Sequence, residues 1–167
     1  MYRRDCKEIE EHALASPAGL VDVIEFTLCS IQAGLSTIKL QRKDIAKRGI
    51  SSRFLWGKKG AGLQYAMKHR ERLWSKLVAL RESSADNIEV VADAIDLLEA
   101  VPNLGLPKAS FVAQMLGFNV ACFDSHNLKR VGKTAAFVTL RKGLKPKTRR
   151  KKIVRYVSFC QEKGSEY

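Results

Sequence analysis

The sequence predicts an all-α fold, on three observations. Apolar residues recur at three- and four-residue spacing over most of the chain, which gathers them on one face of a helix. No segment alternates apolar and polar residues as a half-buried strand would, and no internal repeat is found. Prolines and capping residues stand where the apolar runs begin or end, at Ser16-Pro17, Pro102 and Pro107. With 167 residues, 46% of them hydrophobic, the chain can bury a proper core. It is expected to form one compact unit or two intimately packed lobes rather than a disordered tail.

Residues 1–15 mix Arg3, Arg4, Lys7 and an acidic group from Glu8 to Glu11 with few apolar positions, which predicts a short surface helix. Ser16 is placed to cap a second helix, with Pro17 in the first turn where its missing N–H is not needed. Over 20–40, Val23, Ile24, Leu28, Ile31, Leu35 and Ile38 keep helical spacing, with Gly34 a point of interruption. Residues 54–62, Phe-Leu-Trp-Gly-Lys-Lys-Gly-Ala-Gly, read as a mobile loop because of their glycines. They do not form a P-loop, since no Gly-Lys-Ser/Thr follows. Phe54 and Trp56 fit either the core or a pocket that stacks on a base.

Leu63, Met67, Leu73, Leu77 and Leu80 mark a helix with a basic outer face. A polar break over 81–87 follows, in which Asp86 or Asn87 can cap the next helix. That helix runs through Ala100 with Ile95, Leu97, Leu98 and Val101 on its face, and Pro102 ends it. Pro107 opens another. A further helix follows Asp124 through Asn127, Leu128 and Val131. The run 141–152 starts as loop, and Ile153, Val154, Val157 and Phe159 mark a final helix.

Lys and Arg outnumber Asp and Glu by 30 to 17, for a net charge of +13 and a pI near 9.8. A field of that strength favours a nucleic-acid partner over a merely solvated basic surface or an anionic membrane. Arg149, Arg150 and Lys151, in the basic run, are either solvated or in contact with phosphates, and the overall charge favours contact. The four cysteines, Cys6, Cys29, Cys122 and Cys160, show no CxxC and no Cys/His pair at metal-ligand spacing. Reduced, mostly buried thiols and no metal site are expected. No apolar run approaches the roughly eighteen residues of a membrane span, and no signal-peptide hydrophobic region opens the chain. An intracellular protein is expected, cytoplasmic or nucleoid-associated, or nuclear in a eukaryote.

Residues 102–124 organise the rest. Pro102-Asn103-Leu104-Gly105 makes a turn between two helices, with Gly105 able to take positive φ and neighbouring amides directed outward, where a phosphate can accept them. Downstream stands Asp124-Ser125-His126; upstream stands Cys29-Ser30-Ile31-Gln32-Ala33-Gly34. These three stretches resemble the helix-hairpin-helix DNA glycosylases of the endonuclease III superfamily. The hairpin is similar to the family's Pro-Gly-Val-Gly, with Asn103, a residue that tolerates left-handed backbone, at the first glycine. Asp124-Ser125-His126 is similar to Val-Asp-Thr-His at nearly the family's distance. The Gln32 segment is similar to Leu-Ser-Ala-Gln-Ala-Thr.

The resemblance implies two helical lobes with double-stranded DNA in the cleft between them. Residues 20–123 would form a central lobe, with the helix-hairpin-helix at about 91–117, and 1–19 with 124–167 a second. It implies a monomeric base-excision repair enzyme that flips a damaged, mismatched or modified base and hydrolyses its bond to C1′ of deoxyribose. Asp124 would stabilise the developing positive charge and orient water; as an Asp before a helix it is also a favoured cap, and the roles are compatible. Gln32 would fill the gap left by the base, the alternative being a bond to nearby backbone. Asn103, Leu104, Gly105, Leu106 and Lys108 would hold the DNA backbone.

Relatives that also cut the strand carry a Lys two residues after the second hairpin glycine, which forms a Schiff base. Here that position is Pro107. Lys108 lies one further, and one residue turns a helical side chain by about 100°. Lys108 is therefore expected to reach phosphate and the enzyme to be monofunctional, with lyase chemistry through Lys108 as the alternative. A non-catalytic DNA-binding module and an enzyme that modifies bases in unusual DNA are the other readings. His126 matches the family's histidine but takes no catalytic role, and Glu25 is not where adenine-mismatch glycosylases place their acid. One cysteine after Cys122 cannot supply the family's iron-sulfur cluster. No cofactor is expected, although a monovalent cation at the hairpin fits the resemblance.

Overall fold

The computed structural model describes residues 2–31, 33–141 and 143–163. Among them the chain is helical throughout, with no strand. In order come α1 (Tyr2–Ala15), α2 (Pro17–Ser30), α3 (Leu35–Arg48), α4 (Lys58–Lys68), α5 (Arg70–Ser83), α6 (Ile88–Glu99), α7 (Leu106–Met115), α8 (Ser125–Arg130) and α9 (Pro146–Lys163). Single 3₁₀ turns lie at Gly49–Ser51 and Ala135–Phe137. One buried apolar cluster runs from Ala13 in α1 to Cys160 in α9. Its hub is α2, which packs against α1, α3, α4, α5 and α7 and buries Leu20, Ile24 and Leu28 completely. α1 also touches α7, while α9 packs on α6.

Several helix ends follow from single side chains. The Ser16 hydroxyl accepts the Gly19 amide at 3.1 Å, capping α2. Asn87 Oδ1 accepts from the Glu89 and Val90 amides at 3.0 and 3.2 Å, capping α6. The apolar pattern over 20–40 is broken after Ser30, and α3 restarts with Gly34 as its N-cap.

Three expectations are corrected. Residues 58–62 are not loop but the first turns of α4. Their glycines serve close packing: a Cβ on Gly62 would lie 2.3 Å from the Pro102 carbonyl oxygen, and one on Gly60 2.8 Å from that of Leu55. α4 thus sits directly on the hairpin. The apolar pattern over 63–80 is not one helix, because the backbone breaks at His69, and the bend lets Leu63 and Ala66 in α4 reach the same core as Leu73 and Leu77 in α5. Trp56 is not core, being 62% exposed.

The final helix begins at Pro146, so Arg149, Arg150 and Lys151 are helical. Cys29, Cys122 and Cys160 are free thiols. Among the described residues no helix is long and apolar enough to cross a membrane.

Candidate active site

The hairpin between α6 and α7 turns on Asn103, whose φ is 73°; no other described residue except glycine has positive φ. Gly105 does not take positive φ: it is extended, with φ −68° and ψ 170°, and is the N-cap of α7. The left-handed step is made one pair of residues earlier than anticipated. Leu104 and Leu106 are each 1% exposed, so they anchor the turn in the core, while Gly105 between them is exposed. The Leu104 amide donates to Val101, and the Lys108 and Ala109 amides donate to the Gly105 carbonyl, both at 2.9 Å.

Lys108 leaves the first turn of α7 toward the end of α2. Its Nζ lies 3.5 Å from Ser30 Oγ and 5.8 Å from the centroid of the Phe111 ring. Phe111 in turn stacks on Phe26 of α2 at 6.4 Å and 28°.

The segment before α8 is neither helix nor strand. Ala121 and Phe123 are buried, while Cys122 and Asp124 are half-buried. Tyr156 of α9 holds this segment from inside: its hydroxyl donates to the Ala121 carbonyl at 2.7 Å and accepts the Phe123 amide at 3.1 Å. The same hydroxyl lies against Ser110 of α7, two residues beyond Lys108. Asp124 caps α8, its Oδ1 accepting the Asn127 amide at 3.0 Å and its carbonyl the Leu128 amide at 2.9 Å. Asn127 donates back to the Cys122 carbonyl at 2.9 Å.

Electrostatics join the two halves. Burial pushes the Cys122 thiol up to about 11; the Lys108 ammonium opposes that shift and the Asp124 carboxylate adds to it. Lys108 and Asp124 thus act on one sulfur from the hairpin helix and from the cap of α8, with Ser30 beside them. Cys122 was missed from sequence, where its only signal is that it stands two residues before Asp124.

Gln32 lies outside the described residues, as does the side chain of His126. Next to Gln32, the Ile31 carbonyl accepts Lys59 Nζ at 3.0 Å; Lys59 is 3% exposed and its ammonium lies 5.2 Å from the Trp56 ring. Glu25 accepts Arg42 Nε at 3.0 Å. Arg149 is held by Asp96 at 2.8 Å and by Glu99, and Arg150 by Asp93 at 2.8 Å and by Glu89, all on α6. Lys151 is exposed. Among the described residues no group of three His, Cys, Asp or Glu side chains is arranged to hold a metal ion.

A depression of about 370 Å³ adjoins Phe26, lined by Ile38, Lys39 and Arg42 as well. A larger one of about 570 Å³ lies over Leu80 and Leu97 between α5 and α6 and shares no residue with the Lys108–Asp124 cluster. Phe26 of the smaller one stacks on Phe111, whose ring lies 5.8 Å from Lys108 Nζ.

No family model, curated protein or solved structure matches the chain.

Proposed function

We propose that the chain is a DNA N-glycosylase acting on a base flipped out of double-stranded DNA. The observation that carries this reading is the convergence of Lys108 and Asp124 on Cys122, beside Ser30 at the end of α2. An amine from the first turn after a hairpin and a carboxylate from a helix cap both act on the Cys122 thiol, in a chain of net charge +13. The left-handed turn at Asn103 and the N-terminus of α7 offer backbone amides and a positive helix end to a phosphate. The hollow lined by Phe26, Ile38, Lys39 and Arg42 offers an aromatic wall and two cations to an extruded base.

In this reading the bond between C1′ and the base nitrogen breaks with its electron pair leaving on the base, which takes a proton from solvent. The Asp124 carboxylate stabilises the positive charge left on the sugar. Water then adds its oxygen to C1′ and gives a proton to Asp124. A second reading is favoured by the direction of Lys108, which runs toward Ser30 and Cys122. There, the Lys108 ammonium first gives a proton to solvent, its amine attacks C1′ and the base departs with a proton; the sugar ring opens to an imine, solvent takes a C2′ proton as the 3′ phosphate leaves, and water hydrolyses the imine.

Base release from a panel of duplexes, each carrying one lesion, tests the proposal. Asp124→Asn retains an oxygen to accept the Asn127 amide, so the cap survives; base release should fall about 100-fold or more while DNA binding persists. A wild-type protein that binds the whole panel and releases no base would leave a non-catalytic binding module instead. Borohydride trapping on abasic DNA separates the two chemistries: an adduct that disappears in Lys108→Ala establishes the amine as nucleophile, and no adduct leaves water in that role.

A further inference from the structure

We propose that α3 and the segment leading into α4 form a second nucleic-acid surface, one that holds a strand with unstacked bases: Lys43, Lys47 and Arg53 take its phosphates and Trp56 stacks on a base. This goes beyond the glycosylase reading and does not depend on chemistry at Asp124.

Exposure and charge coincide on this face. Of the five large apolar side chains exposed among the described residues, Leu40 (63%), Ile50 (50%) and Trp56 (62%) fall in this one stretch. Lys39, Lys43, Lys47, Arg53 and Lys58 are exposed in the same stretch, and none has a carboxylate within ion-pair distance. Its one acid, Asp44, is engaged by Arg48 at 3.2 Å and by the Ser52 hydroxyl at 2.6 Å. Arg149 and Arg150, by contrast, are held by α6. The stretch thus carries five exposed cations outside any ion pair, next to three exposed apolar side chains.

The spacing is costly to the helix and suited to a polyanion. Lys39, Lys43 and Lys47 stand at i, i+4 and i+8, so like charges lie one above another, an arrangement that destabilises a helix. The row spans about 12 Å of helix axis, the length of three to four nucleotides of one B-form strand. Beside it runs a groove of about 220 Å³ lined by Leu40, Lys43, Asp44, Lys47, Arg53 and Phe54, with the Arg53 guanidinium 4.9 Å from the Phe54 centroid. A cationic row next to an exposed indole matches a backbone of regular charge carrying bases with π faces.

A chain of contacts also links this face to the candidate site. Trp56 lies over the Lys59 ammonium at 5.2 Å, Lys59 bonds the Ile31 carbonyl at 3.0 Å, and neighbouring Ser30 is 3.5 Å from Lys108.

The test is the affinity of the full chain for labelled single strands, for duplexes with one abasic site and for intact duplexes, across a salt series. The triple variant Lys43→Ala/Lys47→Ala/Arg53→Ala should lower the slope of log K against log salt by about 2–3, at roughly 0.7–0.9 per phosphate contact. Lys68→Ala/Arg72→Ala/Lys76→Ala removes equal charge from exposed positions on α4 and α5 and should lower it by less than about 1. Trp56→Ala should weaken binding to the single strand and the abasic duplex by about 5- to 100-fold and leave the intact duplex nearly unchanged. Equal slopes in the two triple variants, or equal losses by Trp56→Ala on all three DNAs, would overturn the proposal. So would a loss confined to anionic vesicles or an acidic peptide. Base release plays no part in the readout, so this proposal and the catalytic one fail separately.

Discussion

Tyr156→Phe removes one oxygen from a side chain with no solvent exposure, and its consequence can be worked out bond by bond. The ring keeps its neighbours, Phe123 edge-on at 6.2 Å and Phe137 at 6.1 Å, and almost no cavity opens, so the transfer and packing terms are small. Two hydrogen bonds are lost. The Phe123 amide loses an acceptor at 3.1 Å, and the Ala121 carbonyl loses a donor at 2.7 Å, keeping only the weak Cys160 thiol at 3.6 Å. At about 1–3 kcal/mol for each buried group that loses its partner, discounted for the remaining thiol, the sum is about 2–4 kcal/mol. A domain of ordinary stability survives that loss. Urea denaturation should show a lower midpoint with an unchanged slope, and the Phe123 amide should exchange faster. Because the two bonds straddle Cys122 and precede Asp124, the turnover rate for base release should fall about 10- to 100-fold with DNA affinity unchanged. A loss below about 1 kcal/mol, with Phe123 exchange unaltered, would show that the hydroxyl does not clamp the segment.

Other substitutions test separate parts of the fold. Gly62→Ala would gain up to about 1 kcal/mol in an isolated helix, but its Cβ meets the Pro102 oxygen at 2.3 Å, so a net loss of about 1–3 kcal/mol in urea melts is expected. Gly105→Ala, with open space and negative φ, should stay within about 0.5 kcal/mol, so any fall in DNA affinity there reports on the ligand and not on the fold. Asn103→Ala should cost about 1–2 kcal/mol for its left-handed backbone while Asn103→Gly is tolerated, a difference that denaturation of the pair will show. Burial raises the thiols of Cys29 and Cys122 to about 11 and Cys160 to about 12 from an ordinary 9.0, so the folded chain holds these protons more tightly than the unfolded one. Their stabilisation is complete below about pH 9 and is lost as pH rises through 11 to 12; melts over that window should steepen less in Cys160→Ala than in the parent.

What the sequence revealed divides along the range of the interaction responsible. Ser16, Gly34 and Asn87 end or begin helices through bonds to residues within a few positions, so the caps could be read directly. Asn103 likewise announces its turn, because few residues other than glycine accept that backbone. Residues 58–62 misled because the contact that demands glycine at 62 is with Pro102, far along the chain, and a glycine chosen for close approach looks the same in sequence as one chosen for a loop. The basic run was legible as charge, but not its partners: Glu89, Asp93, Asp96 and Glu99 form an acidic stripe down α6, and only the docking of α9 reveals that Arg149 and Arg150 are held there.

Lys108 makes the same point at the site. Its offset from the position of a Schiff-base lysine fixes an angle about the axis of α7, yet what lies at that angle depends on how α7 packs against α2. The side chain reaches Ser30 and the field of Cys122, so the one-residue shift by itself does not decide whether the amine serves a phosphate or a sugar carbon. Trapping on abasic DNA reads that choice directly. Taken with Arg149 and Arg150, which α6 holds, it limits the candidates for DNA contact to cations outside the ion pairs, Lys39, Lys43 and Lys47 on α3 among them.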